Sequence, residues 1–206
     1  GSGKTTVVNL LMRFYDIDNG SITIDGVNIK DIDCENLRKN TAIVLQDTVL
    51  FADTVKNNLL YSRQDATDTE IIAAAKKANC HNMIMHLPGG YDSVLAKDGQ
   101  NLSQGQRQLL SIARAFVASP KILILDEATA FADPDNEAKV QAAFERLSQG
   151  KTVIMIAHRL KTVRHADQIV VVDKGRIVQQ GIHEQLMKQE GIYKRFVDAR
   201  QQAVSW

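Results

Sequence analysis

Cysteine is scarce in this chain of 206 residues, and Cys34 and Cys80 sit in unrelated segments without a Cys-x-x-Cys spacing. That argues against a disulfide framework or a thiolate metal site and fits two reduced thiols in a cytosolic setting. No continuous apolar run reaches the roughly 18 residues a membrane-spanning helix needs. A basic stripe is missing too. Lys and Arg number 25 against 24 Asp and Glu, a formal net charge of +1, with both signs mixed along the chain, so charge does not point to nucleic acid. There is no low-complexity tract, long linker, internal repeat or signal peptide. The chain has no initiator Met and starts inside a motif, so it reads as an excerpt of a longer polypeptide. The rest is ordinary for a soluble globular protein: 44% hydrophobic and 24% charged residues, enough for one domain, or one domain with an inserted lobe.

Periodicity divides the chain into three stretches. Lys4 to Arg13 reads as a helix with Val7, Val8, Leu10 and Leu11 on one face. Ser21 to Gly26 alternates and then turns, which predicts an exposed strand and a hairpin. Thr41 to Leu45 is an apolar strand ending at Gln46. From Asp68 the spacing becomes helical, with Ile71, Ile72, Ala75 and Ala78 in phase. A second helix is expected from Cys80 to His86, stopped by Pro88-Gly89-Gly90, and a third from Ser103 to Ala118. After Pro120 come apolar strands at Ile122–Leu125, Thr152–Ile156 and Gln168–Val172, expected to be covered on both faces. A helix from Asp135 to Leu147 separates the first two, which makes a βαβ unit and a parallel sheet. Arg176 to Gln179 adds a strand, and helices start at Ile182 and Ile192.

The first five residues, Gly1-Ser2-Gly3-Lys4-Thr5, match the last five positions of the phosphate-binding loop Gly-x-x-x-x-Gly-Lys-[Ser/Thr]. In that loop glycines let backbone N–H groups wrap the phosphates. Lys4 supplies a cation for the β- and γ-phosphates, the Thr5 hydroxyl faces Mg2+, and the helix that follows adds its dipole. The fragment alone could equally be a linker. Asp126 and Glu127 decide between the readings, because they end an apolar strand whose carboxyl end is where open α/β sheets bind ligands. Asp126 would hold Mg2+ through water, and Glu127 would orient or deprotonate the attacking water. Ser103-Gln104-Gly105-Gln106 fits a capping box, and an open helix N-terminus is what grips an anion. The stretch lies on the helical lobe, so the γ-phosphate it grips is expected to belong to a second subunit.

At this point the resemblance is specific. The chain resembles the nucleotide-binding domain of an ABC transporter over essentially its whole length, with Leu102-Ser103-Gln104-Gly105-Gln106 similar to the family's Leu-Ser-Gly-Gly-Gln signature. The resemblance implies a P-loop, RecA-like α/β core with a mostly parallel sheet, a partial antiparallel β subdomain and an inserted all-helical subdomain. Residues 1–65 and 119–206 would form the core and 66–118 the helical insertion. It implies ATP and Mg2+ as ligands. Gly1, Ser2, Gly3, Lys4, Thr5 and Thr6 would cradle phosphate, and Thr5, Gln46 and Asp126 would hold the metal. Gln46 would be the Q-loop residue, reporting Mg2+ and γ-phosphate status to the membrane domain, and His158 the switch histidine, contacting the γ-phosphate in the same subunit, both counted as catalytic with Glu127. Ser103, Gly105 and Gln106 would reach the partner's nucleotide, and Asp133 would cross the dimer interface. His81, His86, His165 and His183 lack such placement.

Leu37-Arg38, Gln46-Asp47, Leu50 to Asn58 and Gly90 to Val94 resemble exporters, and Ala128 to Pro134 resembles bacterial sequences. Ala96-Lys97 departs from the exporter Gly-Glu, and Ala130-Phe131-Ala132 from the usual Ser-Ala-Leu. The expectation is an ATPase motor on the cytoplasmic face of the plasma (bacterial inner) membrane. Its partners would be a transmembrane domain N-terminal in the same polypeptide and a second nucleotide-binding domain, with no nucleic acid. Residues 1–206 alone are expected to bind ATP poorly. Two other readings stand beside it. One is a soluble ABC ATPase acting on nucleic acid or ribosomes, for which Thr6 to Asn101 shows no coiled coil or second copy. The other is a regulatory half with a dead site, against which Glu127 and His158 argue.

Overall fold

A computed structural model describes residues 3–45, 48–126, 134–156 and 163–204. By their internal contacts the residues fall into two units, 1–29 with 156–206, and 30–155.

The unit 30–155 is built on a parallel sheet in the order β3-β4-β5, which gives the chain the α/β class expected. Strand β3 (Thr41–Val44) runs beside β4 (Ile122–Asp126), pairing Thr41 with Ile122 and Val44 with Leu125. Strand β5 (Thr152–Ile156) forms the other edge. Leu123, Ile124 and Leu125 are buried, as a central strand requires. Around this sheet lie α2 (Cys34–Lys39), α3 (Val55–Leu60), α4 (Asp68–Lys77), α5 (His81–Met85), α6 (Gln104–Ala118) and α7 (Pro134–Ser148).

Helices α2, α3, α4 and α6 each start where a short polar side chain takes up an orphan N–H. Asp33 accepts from Asn36 N at 3.0 Å, and Thr54 from Asn57 N at 3.0 Å. Thr67 and Glu70 form a capping box on α4. Helix α6 buries Leu109, Ile112, Ala113 and Val117 on one stripe and ends at Ser119, whose φ of 49 is left-handed, just before Pro120. One apolar cluster joins Leu59, Ile71, Ile84, Leu110, Ile112 and Leu147. Burial of each such side chain contributes about 1.5–3 kcal/mol.

The second unit holds α1 (Lys4–Leu11), the short strands β1 (Thr23–Ile24) and β2 (Val27–Asn28), the hairpin of β6 (Ile169–Asp173) and β7 (Arg176–Gly181), then α8 (His183–Met187) and α9 (Ile192–Val204). Ile169, Leu186, Tyr193 and Val197 form its small core, where His183 Nδ1 and the Tyr193 hydroxyl lie 2.7 Å apart.

The strand expected at 168–172 is present, at Ile169–Asp173. As β6 it pairs antiparallel with β7, because Lys174 and Gly175, both at positive φ, close a two-residue turn between Asp173 and Arg176. Helix begins earlier than the periodicity predicts, since α3 precedes residue 66. Among the described residues no helix is long and apolar enough to cross a membrane.

Candidate functional site

Gly3 opens α1 in a left-handed conformation, φ 99 and ψ 3, which a side chain would strain. A Cβ there would meet Gly175 Cα in the β6–β7 turn at 3.6 Å, an ordinary contact, so backbone conformation rather than space favours glycine here. No side chain caps α1 among the described residues, and its first N–H groups stay open. Lys4 is the first helical residue, and Thr5 and Thr6 after it are exposed. An uncapped, glycine-entered helix start is a ready anion seat.

In the other unit β4 carries Asp126 at its carboxyl end, half-exposed beyond three buried residues. Helix α6 begins at the signature. Ser103 is its N-cap, φ −66 and ψ 161, and the Ser103 Oγ accepts from Gln106 N at 3.2 Å. In return Ser103 N donates to Gln106 Oε1 at 2.9 Å. Ser103 and Gln104 are exposed and Gly105 is buried. The exposure of Gln104 is the physical reason a glycine is not needed there. Gly105 does need to be small: a Cβ on it would lie 3.0 Å from Asn136 Cβ, at the start of α7.

Gly1, Ser2, Gln46, Glu127, Asp133 and His158 lie outside the described residues. Of the expected site residues, then, the structure gives local geometry for Gly3, Thr5, Thr6, Ser103, Gly105, Gln106 and Asp126, and for the backbone of Lys4.

Two polar side chains that no motif singles out, Asn58 buried and Arg114 half-buried, join α3 to α6. Asn58 on α3 is 1% exposed. Its Nδ2 donates to Phe51 O at 3.0 Å, Thr54 O at 3.0 Å and Asp53 O at 3.4 Å, and its Oδ1 accepts from Phe51 N at 2.9 Å. Arg114 on α6 donates from Nε to Asn58 O at 2.9 Å, from Nη2 to Asn58 Oδ1 at 3.1 Å and from Nη1 to Val49 O at 3.1 Å. The guanidinium also sits 5.7 Å from the ring centres of both Phe51 and Tyr61. Burial lowers its pKa from the ordinary arginine value. The only sequence hint of this arrangement is polar residues at core-facing helix positions. Such a pattern says that partners must exist, not where they lie.

A left-handed glycine leading into a helix that begins Lys-Thr, a parallel strand ending in an aspartate and a serine-capped open helix define a nucleoside triphosphatase of the P-loop α/β class. The comparisons narrow this. The family model described as ABC transporter matches residues 1–130. An uncharacterized ABC transporter ATP-binding protein of Bacillus subtilis, YfiC, is 50% identical over 200 residues, covering 97% of this chain and 33% of that protein. A Staphylococcus aureus protein, named for multidrug export as an ATP-binding/permease protein, is 50% identical over 194 residues, covering 94% of this chain and 34% of its own length. The structure of a bacterial Atm1-family ABC exporter with ATP bound aligns at a TM-score of 0.87 and 42% identity, over 97% of this chain and 35% of that one. This chain therefore belongs to the ABC transporter family, as an ATPase domain. It spans about a third of the length of the curated relatives it matches.

Proposed function

We propose that this chain is the ATP-hydrolysing motor of an exporter-type transporter, joined in one polypeptide to a transmembrane domain and held at the cytoplasmic face of the plasma or bacterial inner membrane. Two copies, or this chain and an unlike partner, close head to tail around two Mg-ATP molecules. Hydrolysis reopens them, and the cycle drives the membrane domain. Residues 1–65 and 119–206 are the core and 66–118 the helical insertion. The relatives support the export reading, because they are named as ATP-binding/permease proteins and as an exporter.

Gly1, Ser2, Gly3, Lys4, Thr5 and Thr6 receive the phosphates, with the open N-terminus of α1 aimed at the anion. Glu127 takes the proton from, or orients, the attacking water. His158 and Gln46 hold the γ-phosphate side of the site. Ser103, Gly105 and Gln106 meet the nucleotide of the facing subunit, and Asp133 crosses between the two. The donors assigned to Mg2+ fit a hard cation: a Thr5 hydroxyl, a Gln46 amide oxygen and the Asp126 carboxylate. Among the described residues no cluster of three or more His, Cys, Asp or Glu could hold a metal by itself. When bound, Mg2+ neutralises charge developing on the transferred phosphoryl group.

The observation that carries the reading is the capping box of Ser103 and Gln106, with Gly105 pressed on α7. It holds the Ser103 and Gln106 N–H groups within the box and leaves Ser103 and Gln104 exposed at the tip of α6. Glu127→Gln tests the chemistry. ATP binding is expected to persist, while phosphate release falls about 100-fold or more, the usual worth of a positioned general base. Undiminished turnover in that variant would contradict the assignment.

A further inference from the structure

The segment after Gln46 and Asp47, residues 48–54, has no regular structure of its own until α3 begins. The backbone groups of Val49, Phe51, Asp53 and Thr54 are nonetheless held. Asn58 binds three of its carbonyls and the Phe51 N–H, and Arg114 binds the Val49 carbonyl. Leu95 N donates to Asp53 O at 2.9 Å, and Val55 N to Ser93 O at 3.0 Å, so the 93–95 strand edge is fastened to the same segment. Leu50, 2% exposed, packs so near Gly99 that a Cβ there would lie 2.8 Å from its Cδ1. Arg114 is the piece that joins this assembly to α6, and it stands eleven residues beyond Ser103. On a straight helix that is about 16 Å from the signature tip.

The chemistry of this joint is unusual for fold stabilisation alone. Among the described residues Arg114 has no carboxylate partner. Its charge is met by two carbonyl oxygens, one amide oxygen and two aromatic faces. Burying a cation among neutral acceptors recovers less than it costs in water, and an apolar side chain would hold the helix as well. What the guanidinium adds is direction: three donors in one plane fix where the chain of residues 48–54 lies against α6.

We propose that Arg114 and Asn58 are positioning residues for ATP hydrolysis, acting as a rigid joint that sets the segment following Gln46 against the signature helix. The inference rests on the function proposed above. Neither residue touches nucleotide. Movement of one end is passed to the other because the joint has no slack, and a misplacement of about 1 Å far from the chemistry can cost up to about 100-fold in rate.

The test uses the full-length polypeptide that carries this chain, in lipid nanodiscs, with kcat and KM for Mg-ATP measured for the wild type and for Lys4→Ala, Arg114→Gln, Arg114→Lys and Asn58→Asp. Arg114→Gln is expected to lower kcat at least about tenfold while KM shifts by less than about twofold, the signature of a lost arrangement rather than lost binding. Arg114→Lys, which keeps the charge but not the planar fork, should fall between the two. Asn58→Asp keeps the acceptor for Arg114 but loses the donor to the carbonyls, and should lower kcat with KM unchanged. If Arg114→Gln does not fold, the lysine and aspartate variants decide. Unchanged kcat in folded variants, or KM rising in step with a fall in kcat, overturns the joint. Lys4→Ala separates the two failures. If it retains turnover, the motor reading itself fails, whereas loss there with full activity in the Arg114 variants sinks only the joint.

Discussion

Single atoms decide much at the tip of α6. A Cβ on Gly105 would lie 3.0 Å from the Asn136 Cβ, so Gly105→Val crowds α6 against α7. Overpacking of this kind costs about 1–3 kcal/mol. It is expected to lower the thermal unfolding midpoint and cut ATP turnover together, where Gln104→Ala, at an exposed position, should leave both close to wild type. Cys80 offers a second test at the same scale. It is fully buried, with its Sγ at 3.5 Å from Ala75 O, and burial pushes its thiol up to about 12 from 9.0. The folded pKa lies above the unfolded one. The thiol's contribution to stability is therefore intact below pH 9 and is lost as pH rises from there through about 12. Unfolding monitored across that range should steepen in the wild type and flatten in Cys80→Ala. At neutral pH, maleimide labelling should reach the half-buried Cys34 and spare Cys80.

Caps and turns govern the elements. Ser103→Ala removes the acceptor for Gln106 N and should destabilise α6 by about 1 kcal/mol, seen as a lower unfolding midpoint. Its loss of ATP turnover should be larger than that of Thr67→Ala, which removes an equivalent cap from α4 at a helix with no assigned nucleotide. On α4, Glu70 is held at about 2 from 4.5, first by the Thr67 backbone N–H, then by Arg63 and the Thr67 hydroxyl. Here the folded pKa is depressed, so the contribution is present above pH 4.5 and fades as pH falls toward 2. A carboxyl titration followed by NMR should place the Glu70 midpoint near 2, and Thr67→Ala should raise it.

The same caps explain what could be read in advance. The helix after Thr67 and the strand before Asp126 announce themselves through local signals, a polar cap or a continuous apolar run. Helix α3 does not. Val55, Asn57 and Asn58 are poor helix formers, and the helix stands because Thr54 caps it and Asn58 bonds backward to the chain. The strand at Ile169 reads by composition as an apolar run covered on both faces, which does not say what it pairs with. Its pairing is set by Lys174 and Gly175, which turn the chain straight back onto itself. Arg114 and Asn58 were invisible for another reason. They meet across 56 positions, and no spacing rule reaches that far.

For the whole molecule, the residues proposed to receive phosphate, Gly3 to Thr6, belong to the unit 1–29 with 156–206, and Asp126 and Ser103 belong to the unit 30–155. A catalytic cycle of two facing chains requires the signature of one to act on the nucleotide of the other. Mixed dimers isolate that requirement. One chain is wild type, and the other is size-tagged and carries Lys4→Ala, so that only the first binds ATP. A photoreactive ATP analogue with its reactive group on the γ-phosphate is then activated, and the labelled peptide around Ser103 is identified by mass spectrometry. Label on the tagged Lys4→Ala chain is the expected result, with none in dimers made of that chain alone. Label at Ser103 confined to the nucleotide-binding chain would contradict the head-to-tail site on which the motor depends.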